Sequence, residues 1–254
     1  MPDKSEQNAY IYGRNAILEA IHSGNDIQKI FICYGADVQN IAIAARRNKI
    51  NCTTLDKNKF RELESRACPK GAKTQGIIAL KQIVKTFDLH DFLDELNISE
   101  NPVVAILDGI TDPQNLGAIA RSAECAGVKS IIIPQRNSAL ITPVAIKTSA
   151  GVLNYFPVVQ TTNLLVAIEK LKEAGFWIIG TDVLSNNNYS DKLYDRPVAI
   201  IIGSEGKGIS QSVKKHCDYL VQIPMVGKLN SLNASVSAGI IFFEILRQKQ
   251  STKF

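Results

Sequence analysis

The chain predicts an α/β protein in two lobes, the second built on a parallel sheet, and three observations predict it. Short Val/Ile-rich runs recur after residue 102 with helical stretches between them, a smaller alternation of helix and strand occupies residues 1–82, and an acid-rich segment at 83–101 separates the two. Strands that are apolar along their whole length, rather than at alternate positions, suit a sheet covered by helices on both faces. A length of 254 residues is comfortable for two such units, and 45% apolar residues is ordinary for a folded chain.

In the first lobe, Ile17, Leu18 and Ile21 fall at helical spacing and predict a helix over 14–23, ended by Gly24. A strand over 29–33 follows, then a helix over about 38–48 and a strand over 51–55. Phe60, Leu63 and Ala67 mark another helix, and a strand over 76–80 closes the unit. Residues 68–75, with Pro69 and Gly71 among polar and basic neighbours, read as an exposed loop. One short helix is expected around 91–96 within the acidic linker.

In the second lobe, strands are expected over 103–107, 130–133, 157–159, 176–180, 198–202 and 219–223. The helices between them carry end signals: Thr142 and Pro143 open one that Gly151 closes, and Asn163 caps one that Gly175 terminates. The last helix, over 231–248, carries Ile240, Ile241, Phe242, Phe243, Ile245 and Leu246. A helix apolar on so many sides has to be buried, inside the fold or against another subunit.

The net charge of +5 is unevenly spread. Residues 1–85 carry +6, residues 86–101 carry −5 through Asp88, Asp91, Asp94, Glu95 and Glu100 with no Lys or Arg, and residues 102–254 carry +4. Two basic lobes around an acidic segment suit a polyanion held at two places, although such a bias is also ordinary surface solvation. No apolar run approaches the roughly 20 residues of a membrane span, and the expectation is a soluble, cytoplasmic protein. Five scattered cysteines without a C-x-x-C pair, and three distant histidines, argue against a disulfide framework or a metal site.

Three loops at strand ends could carry chemistry, since parallel sheets place ligands at the carboxyl ends of their strands. The first, D-G-I-T-D-P-Q-N-L-G-A-I-A-R over 108–121, enters a helix with Asn115 near the cap and Arg121 within two turns. The amide and the guanidinium could meet one anion, or be a capped helix and a solvated Arg. The second, G-S-E-G-K-G over 203–208, follows a strand and has three glycines in six positions, for close backbone approach to a ligand or merely a tight turn. It matches neither the dinucleotide nor the P-loop fingerprint, which weighs against a dehydrogenase. The third, I-P-M-V-G-K-L-N-S-L-N over 223–233, leads into a helix start rich in small residues, where Ser231 and Asn233 offer a hydroxyl and an amide.

Taken together and in this order, the three segments resemble the three motifs of the SpoU-type RNA ribose 2′-O-methyltransferases of the SPOUT superfamily. The matching positions are Asn115, Gly117 and Arg121; Gly203, Glu205, Gly206 and Gly208; and Ile223, Met225, Gly227, Ser231, Leu232 and Asn233. The resemblance is strong over 103–248. It extends to the first lobe, where Tyr12-Gly13-Arg14-Asn15 and Gln75-Gly76-Ile77 resemble the family's ribosomal-protein-like RNA-binding domain, with Thr74 where relatives commonly carry His.

The resemblance implies a methyltransferase domain over 102–254 ending in a deep trefoil knot, a feature patterning could not suggest because knots are rare. It also implies a homodimer and S-adenosylmethionine as cofactor, held at Gly203, Ile223 and Leu232 with Thr181, Gly208 and Met225 as further donor-binding positions. Arg121, Asn115, Glu205, Ser231 and Asn233 become the catalytic candidates, and Arg14, Asn15, Gln75 and Arg121 the RNA-binding ones. The substrate it points to is RNA rather than DNA, a guanosine of large-subunit ribosomal RNA, with transfer RNA as the alternative. A non-catalytic RNA-binding or ribosome-assembly protein is the rival class, and it has no chemical need for all five catalytic candidates.

Overall fold

The computed structural model of the chain describes residues 9–23, 27–82, 84–229 and 231–251. Gly24, the expected helix stop, lies outside them. The chain divides into two compact units between residues 83 and 84.

The first unit runs β1 (Tyr10–Tyr12), α1 (Arg14–His22), β2 (Ile27–Cys33), α2 (Gln39–Arg47), β3 (Asn51–Leu55), α3 (Lys57–Ala67) and β4 (Ile77–Lys81). Its sheet has the order β1-β4-β2-β3, with β2 and β3 parallel and the other pairs antiparallel. Strand β1 was not expected, because three residues are too few to show a period; its pairing, Tyr10 with Leu80 and Tyr12 with Ile78, makes it visible. Ile17, Ile30, Ile41 and Ile77 meet in the core between helices and sheet. The stretch 68–75 is exposed at Pro69, Lys70, Gly71, Lys73 and Gln75, as expected of a loop, but it is pinned at two positions. Cys68 is buried, and Thr74 is 5% exposed, donating from its hydroxyl to Glu64 Oε1 at 2.5 Å.

In the second unit, α4 (Leu89–Asp94) precedes β5 (Val103–Asp108), α5 (Pro113–Cys125), β6 (Ser130–Pro134), α6 (Pro143–Thr148), β7 (Val158–Thr161) and α7 (Leu164–Glu173). Then come β8 (Trp177–Thr181), β9 (Val198–Gly203), α8 (Gln211–Lys214), β10 (Tyr219–Val221) and α9 (Ala234–Ser251). The six strands form one parallel sheet in the order β10-β8-β9-β5-β6-β7. Because side chains alternate across a strand, Val103, Ala105 and Leu107 join Leu116, Ile119 and Phe242 on one face, while Val104 and Ile106 join Leu164, Ile168 and Val213 on the other. Both faces being covered explains the continuous apolar strands.

The acidic segment is not a free tether. Leu89 and Phe92 are buried against the second core, and Phe87 bridges to Val159 of β7. The structure refines one expected helix start and shifts another. Asp112, not Asn115, caps α5, accepting from Gln114 N at 3.0 Å with Pro113 at the first helical position. Helix α9 begins at Ala234 rather than 231, capped by Asn233 Oδ1, which accepts from Ser235 N at 2.9 Å and Val236 N at 3.3 Å. Ser231 therefore sits in the preceding loop.

The chain lays β6 and β7 on one side of β5, then returns to place β8, β9 and β10 on the other. The order reverses between β5 and β9, and a crevice at the carboxyl ends of two strands that diverge in this way is the usual ligand position in open α/β sheets.

Candidate active site

Strand β9 delivers its glycine-rich loop to the carboxyl end of the sheet, on the side of β8 and β10. Ser204 and Gly208 close the loop on each other, Gly208 N donating to Ser204 O at 2.8 Å and Ser204 N to Gly208 O at 3.2 Å. A Cβ on Gly203 would lie 2.2 Å from Gly208 C and 2.3 Å from Ile209 N. No side chain fits there, so this part of the wall is backbone by necessity. Gly117 serves a different close approach: a Cβ would come within 2.4 Å of Ala145 O, so its absence lets α5 pack on α6.

Three side chains from three loops then converge. Asn115, on the first turn of α5, donates from Nδ2 to Glu205 Oε1 at 2.9 Å. Asn233 Nδ2 reaches both Asn115 Oδ1 at 3.0 Å and Glu205 Oε1 at 2.6 Å, while its own Oδ1 caps α9. Capping and site-building are thus done by the same residue. The triangle orients the Glu205 carboxylate with two amide donors on one oxygen.

Glu205 also borders a cavity of about 390 Å³, within the range of roughly 300–1,000 Å³ common for ligand sites. Its lining includes Thr181, Gly203, Gly208, Ile223, Met225 and Leu232, all six of the expected donor-binding positions, together with Ser231. Ile223 lies beyond the end of β10, not in it, and the chain there is fastened by Gln222 N donating to Asn187 O and Tyr189 N to Gln222 O, each at 2.9 Å. Thr181 turns its hydroxyl to Ile201 O at 3.1 Å, which makes its side chain a strut of the wall.

Arg121 is the site residue the fold does not bring in. It is exposed on α5, does not line the cavity, and has no hydrogen-bond or ion-pair partner among the described residues. Its side chain is free for a partner from outside. Missed by sequence reasoning were Asp182 and Lys214, an ion pair at 2.7 Å that lines the same cavity. An acid immediately after a buried parallel strand was the available signal for Asp182.

In the first unit, Arg14 and Gln75 are adjacent: Gln75 Oε1 accepts from Arg14 N at 2.9 Å. Arg14 and Asn15 line a cavity of about 240 Å³ with the start of α2, and Arg14 Nε is buried without a hydrogen-bond partner. Thr74, next to Gln75 in sequence, faces the interior as a packed side chain.

A cavity walled in part by backbone at the carboxyl ends of β8, β9 and β10, bordered by an Asn–Glu–Asn cluster, is suited to hold a small ligand under an open polar mouth. The family model of SpoU rRNA methylases matches residues 102–243, and that of RNA 2′-O ribose methyltransferase substrate-binding domains matches 10–81. A Staphylococcus haemolyticus protein assigned to the TrmH family of tRNA/rRNA methyltransferases is 39% identical over 247 residues, 96% of this chain and 97% of the relative. A Staphylococcus aureus protein of the same description matches equally well. Among solved structures, the SpoU methyltransferase AviRb from Streptomyces viridochromogenes superposes with a TM-score of 0.61 at 24% identity, covering 96% of this chain and 90% of AviRb. AviRb has also been solved with the cofactor AdoMet. An RNA 2′-O ribose methyltransferase superposes with a TM-score of 0.58 at 25% identity over 95% of this chain and 88% of that one. The chain belongs to the SpoU, or TrmH, family of RNA methyltransferases.

Proposed function

We propose that the chain moves the methyl group of S-adenosylmethionine to a ribose 2′-hydroxyl of RNA, at a guanosine of large-subunit ribosomal RNA. The observation that carries this reading is the convergence of Asn115, Glu205 and Asn233 at the mouth of the cavity walled by Gly203, Ile223 and Leu232. The residues present fit such a donor: Gly203 leaves backbone at the wall, and Ile223, Met225 and Leu232 give an apolar surface for a nucleoside.

When bound, S-adenosylmethionine supplies an activated methyl group on a cationic sulfur. The chain's task is to align the acceptor oxygen with it and to lower the cost of negative charge on that oxygen. Both amide donors on Glu205 go to Oε1, which leaves Oε2 to accept from a ribose hydroxyl, with Ser231 at the same rim. A guanidinium keeps its proton at neutral pH, so Arg121 acts as an anion clamp, holding an RNA phosphate and stabilising the developing oxyanion.

The family's trefoil knot is part of the proposal. Strand β10 lies at the sheet edge beyond β8, α9 returns to pack on α5, and Gln222, Ile223, Met225, Ser231 and Leu232 line the same cavity as the loop after β9. A homodimer is supported by α9, where Val236 and Phe243, two turns apart on one face, are each 49% exposed. In the first unit, the pairing of Gln75 with Arg14 and the unpartnered Arg14 Nε support an RNA-gripping role for Arg14, Asn15 and Gln75.

The purified chain, given methyl-labelled S-adenosylmethionine and separately large-subunit ribosomal RNA, small-subunit ribosomal RNA and transfer RNA, tests the reading. Label recovered as 2′-O-methylguanosine from large-subunit RNA is the expected result. Label in transfer RNA alone would move the substrate, and label on a base would overturn the ribose assignment.

A further inference from the structure

Four charged side chains line the cavity. Glu205 and Lys207 are exposed, whereas Asp182 and Lys214 turn inward, their side chains only 13% and 20% exposed. Taking two charges out of water costs free energy that their mutual attraction repays only in part, so an inward pair beside a ligand cavity invites a role beyond holding α8 to β8. Asp182 Oδ2 accepts from Lys214 Nζ at 2.7 Å, and Oδ1 accepts from Leu184 N at 3.3 Å. A carboxylate has about four lone-pair sites, so two remain for a ligand.

The position is informative as well. Asp182 follows β8 directly, and β8 is the hydrogen-bonded neighbour of β9, whose end carries the glycine-rich loop. In dinucleotide-binding α/β sheets an acid at the end of the strand beside the glycine-rich turn holds the ribose hydroxyls, and Asp182 stands in a comparable place beside a different glycine-rich turn. We propose that Asp182 accepts hydrogen bonds from the ribose hydroxyls of the methyl donor's nucleoside, with Lys214 as the positioning residue that fixes the carboxylate. The assignment rests on the donor occupying this cavity.

Isothermal titration of the full chain with S-adenosylhomocysteine, and with its 2′-deoxyribose counterpart, separates the two questions. In the wild type the deoxy ligand binds about 10- to 100-fold more weakly, the range expected for a hydrogen bond to a charged group. Asp182→Asn lowers affinity for S-adenosylhomocysteine and shrinks the difference between the two ligands to about threefold or less. Lys214→Met narrows the ratio without abolishing it, and an unchanged ratio in that variant overturns its positioning role. Equal binding of both ligands by the wild type, which needs no variant to fold, overturns the role of Asp182 while leaving the donor site standing. So does full discrimination in Asp182→Asn. Failure of the wild type to bind S-adenosylhomocysteine at all would remove the donor site and this assignment with it.

Discussion

The two ends of the six-stranded sheet are built from similar polar residues put to opposite uses. At the amino end the polar groups are spent on each other. Asp218 accepts from Lys172 Nζ at 2.9 Å and from Ile178 N at 2.8 Å, Arg196 pairs with Asp195 and lies 3.6 Å over the Trp177 ring, and Trp177 stacks on Tyr219 at 4.9 Å. Lys249 donates to the Asn101 carbonyl just ahead of β5. At the carboxyl end, Asp108 is used structurally, accepting from Ser210 N at 2.8 Å, but Glu205 keeps one carboxylate oxygen open, and Arg121, farther along α5, has no partner among the described residues. Unspent hydrogen-bonding capacity, rather than the presence of charge, separates the carboxyl end from the amino end.

The sharpest way to break that contrast is Arg121→Ala. The account expects methyl transfer to fall by at least about 100-fold, the order seen when a transition-state donor is removed, with thermal stability within about 0.5 kcal/mol of wild type and S-adenosylhomocysteine binding retained. Full activity in steady-state assays would remove Arg121 from the chemistry. Next in size is a pair of glycines in one loop. Gly203→Ala forces a Cβ into backbone and is expected to cost about 1–3 kcal/mol as well as donor binding, while Gly206→Ala, with nothing within 4 Å of the added carbon, is expected within about 0.5 kcal/mol of wild type. Equal effects in thermal melts would deny Gly203 its special place.

At the amino end, Trp177→Ala is expected to lower stability by about 1–3 kcal/mol while leaving the KM for S-adenosylmethionine unchanged; a raised KM would put donor binding at the wrong end. The smallest effect concerns Lys249, whose pKa burial pushes down to about 8, helped by Lys129. Below about pH 8 folded and unfolded chains both carry this charge, and the folded state bears the full cost of burying it. Between that pH and the ordinary lysine value the folded state releases its proton first, and the cost is relieved. The melting temperature of Lys249→Met minus that of wild type should therefore be more positive at pH 7 than at pH 10. A difference independent of pH would contradict the assignment.

The parallel sheet was legible because buried strands such as Val103–Asp108 and Val198–Gly203 are apolar without interruption and are set off by capped helices. Local signals failed where elements are short. Three-residue β1 and four-residue α8 have no period to read, and β1 is specified by its pairing with β4. The cap of α5 was readable from Asp112-Pro113, a better signal than Asn115, whose amide is drawn away by Glu205. The triangle of Asn115, Glu205 and Asn233 joins positions 28, 90 and 118 residues apart, beyond the reach of any periodicity, and only the joint resemblance of three motifs grouped them. Asp182 carried a signal, an acid directly after a buried strand, but Lys214 and the pairing went unread because nothing in their spacing links β8 to α8.

A crystal structure of the chain with S-adenosylhomocysteine is the most direct test of where the chemistry lies. The account predicts the nucleoside against Gly203, Ile223 and Leu232 with its sulfur directed toward Glu205. Ligand density in the cavity beside Trp177 and Tyr219 at the amino end, with the cavity bordered by Glu205 empty, would contradict it.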